Sequence, residues 1–249
     1  MSMHIDGKKI TAMYWGGQKI REAWYEGQRV FSGKPVEVMP ATPGDFDARD
    51  WLRGKLAEYG EDYRTVTEIP FEIDSSNATT MWEMFRDCPS LIAAPVMDTS
   101  QVTTMRAMFY GCSSLTTVPD MDTSQVTTMR EMFRDCSSLT TAPEMDTSQV
   151  TTMRTMFQHC RALTEVPPMD TSSVTSMREM FRDCSSLNTV PDMHTSNASD
   201  VSRMFYGCSS LTDGNVRLIG KRTGVNTYGM ITQSGLTREP FYDSSGQPI

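Results

Sequence analysis

The chain has 249 residues, 38% hydrophobic and 22% charged, enough apolar matter to build a core, which argues against wholesale disorder. A net charge of -8 opposes a phosphate backbone or an anionic membrane surface, so neither nucleic acid nor membrane insertion is expected. No window offers the roughly 18 uninterrupted apolar residues of a spanning helix, and Met1 to Ile10 carries no long apolar run, so synthesis in the cytoplasm without an export leader is expected.

Residues 1–33 read as a small β-rich anchoring module. GKKI at 7–10, GQKI at 17–20 and GQRV at 27–30 recur in step, with Met13, Tyr14, Trp15 and then Ala23, Trp24, Tyr25 between them. This predicts about three short aromatic strands joined at glycine turns. So short a segment rarely encloses a core alone, and it is expected to dock on something through Tyr14, Trp15, Trp24 and Tyr25. Residues 34–44, with Pro35, Pro40 and Pro43, read as a linker. Residues 45–76 read as an N-terminal cap: an amphipathic helix from about Asp45 to Tyr59 carrying Phe46, Leu52, Leu56 and Tyr59, then Val66, Ile69, Pro70 and Asp74 as a partial repeat.

The next stretch, 77–213, decides the fold class. Cys88, Cys112, Cys136, Cys160, Cys184 and Cys208 are each 24 residues apart, and the sequence around them recurs almost intact. A fixed period of this size predicts a repeat solenoid of the leucine-rich type, with short parallel strands and helical turns. In the unit around Cys112, Leu115 to Pro119 suits a short strand. Asp122, Thr123 and Ser124 suit an Asx-type turn. Val126, Met129, Met132 and Phe133 form either an amphipathic helix or a second strand leading into a helical turn, and the second form is preferred. Stacked copies would place Phe85, Phe109, Phe133, Phe157, Phe181 and Phe205 in one buried column and Leu91, Leu115, Leu139, Leu163, Leu187 and Leu211 in another. Residues 214–249 read as a C-terminal cap in which Met230, Leu236 and Pro240 echo the repeat.

The same frame sorts the polar residues. Neighbouring cysteines would present parallel rather than converging side chains, so buried free thiols are expected in place of disulfides. Asp98, Asp122, Asp146 and Asp170 are read as turn caps in preference to calcium ligands. Arg106, Arg130, Arg154 and Arg178 form a basic column that faces solvent or offsets nearby acids, with phosphate binding as the less favoured alternative. His159 and His194 look like drift on exposed columns, and no triad, metal set or cofactor site is assembled, so an enzyme is not expected. The informative positions vary while the frame stays constant. Arg86, Tyr110, Arg134, Gln158, Arg182 and Tyr206 are followed by Asp87, Gly111, Asp135, His159, Asp183 and Gly207, and Tyr and Arg are enriched at interface hot spots. A second candidate surface is the strand face carrying Thr116, Thr117, Thr140, Thr141, Thr164, Glu165, Asn188 and Thr189.

The units FYGCSSLTTVPDMDTSQVTTM and FRDCSSLTTAPEMDTSQVTTM closely resemble BspA-like leucine-rich repeats, found in bacterial surface proteins and in some phage and prophage proteins. The resemblance covers residues 66–213 and implies a right-handed solenoid used for adhesion or recognition, with no catalytic residues to carry over. Secreted members have export signals and anchors, which are not seen here. The run ITAMYWGGQKIREAWYEGQRVFSG resembles the aromatic and glycine-rich β-motif that opens many minor structural and tail proteins of phages infecting Gram-positive bacteria. Together the resemblances imply a virion protein made in the host cytoplasm, whose partners are a host cell-surface ligand, protein or glycan, and other virion proteins. Homo-oligomerisation is left open, and a bacterial cell-surface adhesin or protein-binding scaffold is the alternative.

Overall fold

Backbone hydrogen bonds between successive 24-residue units organise most of the chain. The computed structural model describes residues 34–40 and 47–249 in full, and of residues 4–32 the backbone of short strands. In that N-terminal stretch β1 (His4–Ile5) pairs with β2 (Lys8–Lys9), β3 (Tyr14–Trp15) with β4 (Gln18–Lys19), and β5 (Glu22–Tyr25) with β6 (Gln28–Ser32), all antiparallel. The sequence suggested about three strands; each ten-residue motif instead supplies a hairpin. The two residues between partners are Asp6-Gly7, Gly16-Gly17 and Glu26-Gly27, the composition that two-residue hairpin links favour. Tyr14, Trp15, Trp24 and Tyr25 lie on these strands, but their side chains, and with them the anchoring role, fall outside the described residues.

The segment read as a linker contains a strand. β7 (Val36–Val38) pairs in parallel with β8 (Glu72–Asp74), and the Met39 amide extends the ladder to the Asp74 carbonyl at 2.8 Å. Met39 is fully buried, so Pro35 and Pro40 bracket an edge strand, a position proline tolerates because the missing N–H is not needed there. Helix α1 (Ala48–Glu58) begins at Asp47, whose carboxylate accepts from the Arg49 and Asp50 amides, a standard N-cap bond. It is shorter than the expected 45–59 span, and Phe46 lies outside the described residues. Leu52 and Leu56 are buried, and Trp51 and Tyr59 meet Phe71 at ring separations of 6.5 and 5.0 Å. Arg49 reaches Glu83 at 3.0 Å, so the helix covers the first edge of the repeat stack.

Within the repeats, alternate amides serve different ends. Glu83, Phe85 and Asp87 donate to the carbonyls of Arg106, Met108 and Tyr110 in the next unit, while Met84, Arg86 and Cys88 donate three residues back within their own. The expected helical turn is therefore a run of tight turns. Two residues per unit take positive φ, as at Glu83 (56°) and Asp87 (58°), then Ala107 (53°) and Gly111 (75°). Strand pairing is correspondingly sparse. Single parallel bridges run from Thr80 through Thr104, Thr128, Thr152 and Ser176 to Asp200 and Asn226, and bridges Ala93 to Thr117 and Thr141 to Glu165 mark the stretch read as the Leu115 to Pro119 strand. At the C-terminal end a separate ladder, at the repeat position of Met97, forms β9 (Met193–His194), β10 (Leu218–Ile219) and β11 (Phe241–Tyr242), all parallel.

The interior is a set of columns. The six phenylalanines stack face to face at 5.3 to 5.8 Å with ring planes within 6° of parallel. The Leu91 and Cys88 columns are buried beside them, as are three methionine columns headed by Met81, Met84 and Met97. Methionine's flexible thioether fits a narrow, repetitive core, which accounts for most of the 21 methionines of the sequence. Each thiol from Cys112 to Cys208 donates to the phenylalanine carbonyl of the preceding unit at 2.9 to 3.0 Å. All six cysteines are free and buried.

Candidate recognition surface

The varied positions ride on the tight turns that flank the phenylalanine column. At the first of them the alternation of Arg and Tyr has a direct physical use: Tyr110 lies between the guanidiniums of Arg86 (4.7 Å) and Arg134 (5.2 Å), and Arg182 lies over Tyr206 at 5.3 Å. Each ring face attracts the neighbouring cation through its quadrupole. Gln158 interrupts the series. It is 3% exposed, its amide nitrogen reaches Glu179 at 3.4 Å, and its Oε1 has no partner among the described residues.

The next column explains why glycine follows tyrosine. Position 87 and its equivalents need a left-handed backbone, which glycine adopts freely and Asp or Asn more readily than most residues. Gly111 and Gly207 take φ of 75° and 74°, Asp135 and Asp183 take 63° and 59°, and His159 takes 62°. A Cβ added at Gly111 would stand 2.8 Å from the Asp87 carboxylate, and one at Gly207 would crowd that of Asp183. Aspartates therefore occupy alternate units and small residues the units between. His159 is the exception and was misread as exposed drift. It is half-buried, with Nδ1 2.6 Å from Asp135 and Nε2 3.3 Å from Asp183, so one ring joins the carboxylates of both neighbouring units.

A third column was missed altogether. Glu83, Glu131 and Glu179 alternate with Ala107, Thr155 and Arg203, and their short distance from the frame methionines hid them among ordinary surface positions. Glu179 is held by Arg178 (3.3 Å), Arg182 (3.4 Å) and Arg203 (3.5 Å). Burial pushes its carboxyl upward, but the three guanidiniums outweigh burial and leave it below the usual range. The reciprocal pattern appears in the basic column. Arg130 pairs with Glu131 at 3.0 Å and Arg178 with Glu179. Arg106 and Arg154 stand beside Ala107 and Thr155, and among the described residues their side chains have no ion pair and their buried Nε atoms no hydrogen-bond partner. Trp82, 49% exposed, stacks 5.6 Å from Arg106 at one end of this column.

The threonine face belongs to another stretch of the repeat, beyond the buried cysteine and leucine columns. Thr116, Thr117, Thr140, Thr141, Thr164 and Glu165 are exposed. The Thr116 and Thr164 hydroxyls donate to the Ile92 and Thr140 carbonyls at 3.1 and 3.2 Å, so part of this hydroxyl array is spent on holding the stack. A shallow depression of about 300 Å³ lies between Thr141, Glu144, Glu165 and Pro168. On the turn that follows, Asp98, Asp122, Asp146 and Asp170 accept from the Ser amides two residues on at 2.9 to 3.0 Å. Those amide and hydroxyl bonds hold all four carboxyls below their ordinary range. This is the capping role expected of them.

A protein-family profile described as "Mycoplasma protein of unknown function, DUF285" matches residues 79–167 and 142–234, the stretch that carries the stacked units. No curated protein matches the chain.

Proposed function

Because the chain belongs to the DUF285 family, whose description leaves function open, we propose from its own surface that it is a non-enzymatic recognition protein. Its repeats form a right-handed solenoid of the leucine-rich type, and the solenoid binds a host envelope ligand, protein or glycan, from a phage or prophage particle to which the N-terminal module anchors it. One observation carries the reading. The Phe, Cys and Leu columns are constant and buried, whereas Arg86, Tyr110, Arg134, Arg182 and Tyr206, which vary between units, are half-exposed. A framework that holds its interior fixed and varies its surface presents side chains at set intervals with little ordering cost on binding. The test is direct binding of purified chain to host cells together with immunogold labelling of intact particles. Binding with label on the particle supports the proposal; cells left bare and particles left unlabelled end it.

The second reading is a bacterial cell-surface adhesin or protein-binding scaffold, favoured by the bacterial genus in the family's description. Fractionation separates the two, since an adhesin accumulates in the cell-envelope fraction and a virion component in the particle band.

A further inference from the structure

Arg106 and Arg154 are out of keeping with their own column. Arg130 and Arg178 are neutralised by the glutamates that follow them, but Ala107 and Thr155 take the glutamate's place in the two alternating units. A guanidinium offers five donors in a planar fork that fits a carboxylate bidentately, and among the described residues these two forks have no anion. Successive phenylalanine rings in this stretch are 5.5 Å apart, so the two bare guanidiniums recur at about 11 Å along the stack. An exposed indole, Trp82, continues the line beyond Arg106.

We propose that this stripe is a binding site for an anionic polysaccharide with one acidic group per disaccharide, seated with its carboxylates on Arg106 and Arg154 and a sugar face on Trp82. The inference rests on the recognition reading above and names the ligand class. Spacing and chemistry choose among polyanions. Successive phosphates of a nucleic-acid strand rise by about 3.4 Å, far closer than the two guanidiniums, whereas an alternating acidic and neutral sugar polymer spaces its charges near two units of the stack. The flat indole face suits the C–H face of a pyranose. The chain's overall charge of -8 does not prevent this, because attraction at contact is local while repulsion from carboxylates on other columns is screened beyond about 8 Å at physiological salt.

The test uses the full chain and hyaluronate, which has one carboxylate per disaccharide, with neutral dextran and single-stranded DNA in parallel. The expected result is hyaluronate binding that weakens with salt, exceeds binding to either comparator, and falls about tenfold or more in Arg106→Gln/Arg154→Gln. Trp82→Ala, at a side chain that is 49% exposed, lowers affinity by about threefold or more. Unreactive thiols in the native variants establish that the stack is intact. Absence of hyaluronate binding, equal binding of DNA, or full affinity in the variants overturns the proposal. If wild-type chain binds host cells but not hyaluronate, the ligand class falls and the recognition reading stands; if it binds hyaluronate but not host cells, the reverse holds.

Discussion

Phe133 stacks 5.5 Å from Phe109 on one side and 5.5 Å from Phe157 on the other, so its removal opens a hole that two units share. Phe133→Ala is expected to cost about 3–5 kcal/mol, the range for large aromatic truncations in a close-packed core, measured by urea unfolding against wild type. His159 makes a contrasting case at the surface. Its replacement by Ala leaves Asp135 and Asp183 without the ring between them, and also places a β-carbon residue of poorer left-handed tolerance at φ 62°. His159→Gly relieves the backbone but not the carboxylates. Thermal melts are therefore expected to rank wild type above both variants, with Gly above Ala if the backbone dominates; equal stability of all three would mean the ring contacts contribute nothing. The sequence displayed the alternation of Arg-Asp with Tyr-Gly, and Gly, Asp and His at one column fit a left-handed backbone, but the crowding against the neighbouring carboxylate that sets the alternation arises between residues 24 apart and shows only once the units are stacked.

The turn that begins at each frame aspartate is stabilised by an ionised side chain. Asp98, Asp122, Asp146 and Asp170 titrate below their unfolded value of about 3.9. Groups so depressed lend stability that is complete above that unfolded value and is lost as pH falls through the folded one. The chain is thus expected to weaken in acid below about pH 4, and Asp122→Asn/Asp146→Asn to flatten that part of a stability-versus-pH curve. These turns were legible because Asp-Thr-Ser repeats at a fixed offset and Asx chemistry is local. The tight-turn segment was less so: Val126, Met129, Met132 and Phe133 have helical spacing, but their amides alternate between the next unit and their own, a choice made by stacking and not by the segment itself. The strand at Val36–Val38 was hidden for the same reason, since its partner Glu72–Asp74 lies 36 residues away and the flanking prolines suggested a break.

Across the whole molecule the six thiols act together. Burial raises every one, to about 12 for Cys88 and Cys208, while an unfolded cysteine ionises near 8.5. Stability from a raised group is complete below the unfolded value and disappears as pH climbs toward the folded one. Unfolding is accordingly expected to become steeply easier from about pH 8.5 upward, and replacement of the column by alanine to blunt that dependence even while lowering stability at neutral pH. Ellman's reagent should find no reactive sulfur in native chain and six after denaturation.

The arrangement of the polar columns also governs how the array tolerates changes of length. Removing residues 105–128 would bring Glu83, Arg86 and Asp87 against Glu131, Arg134 and Asp135, like charge on like, whereas removing 105–152 would bring them against Thr155, Gln158 and His159. The single excision is expected to melt well below the double one, even though the double sacrifices more core. The heritable module of this protein is then the pair: an ancestor lengthening by copying single units would meet electrostatic conflict at every odd step, so arrays of this kind should grow and shrink in multiples of 48 residues.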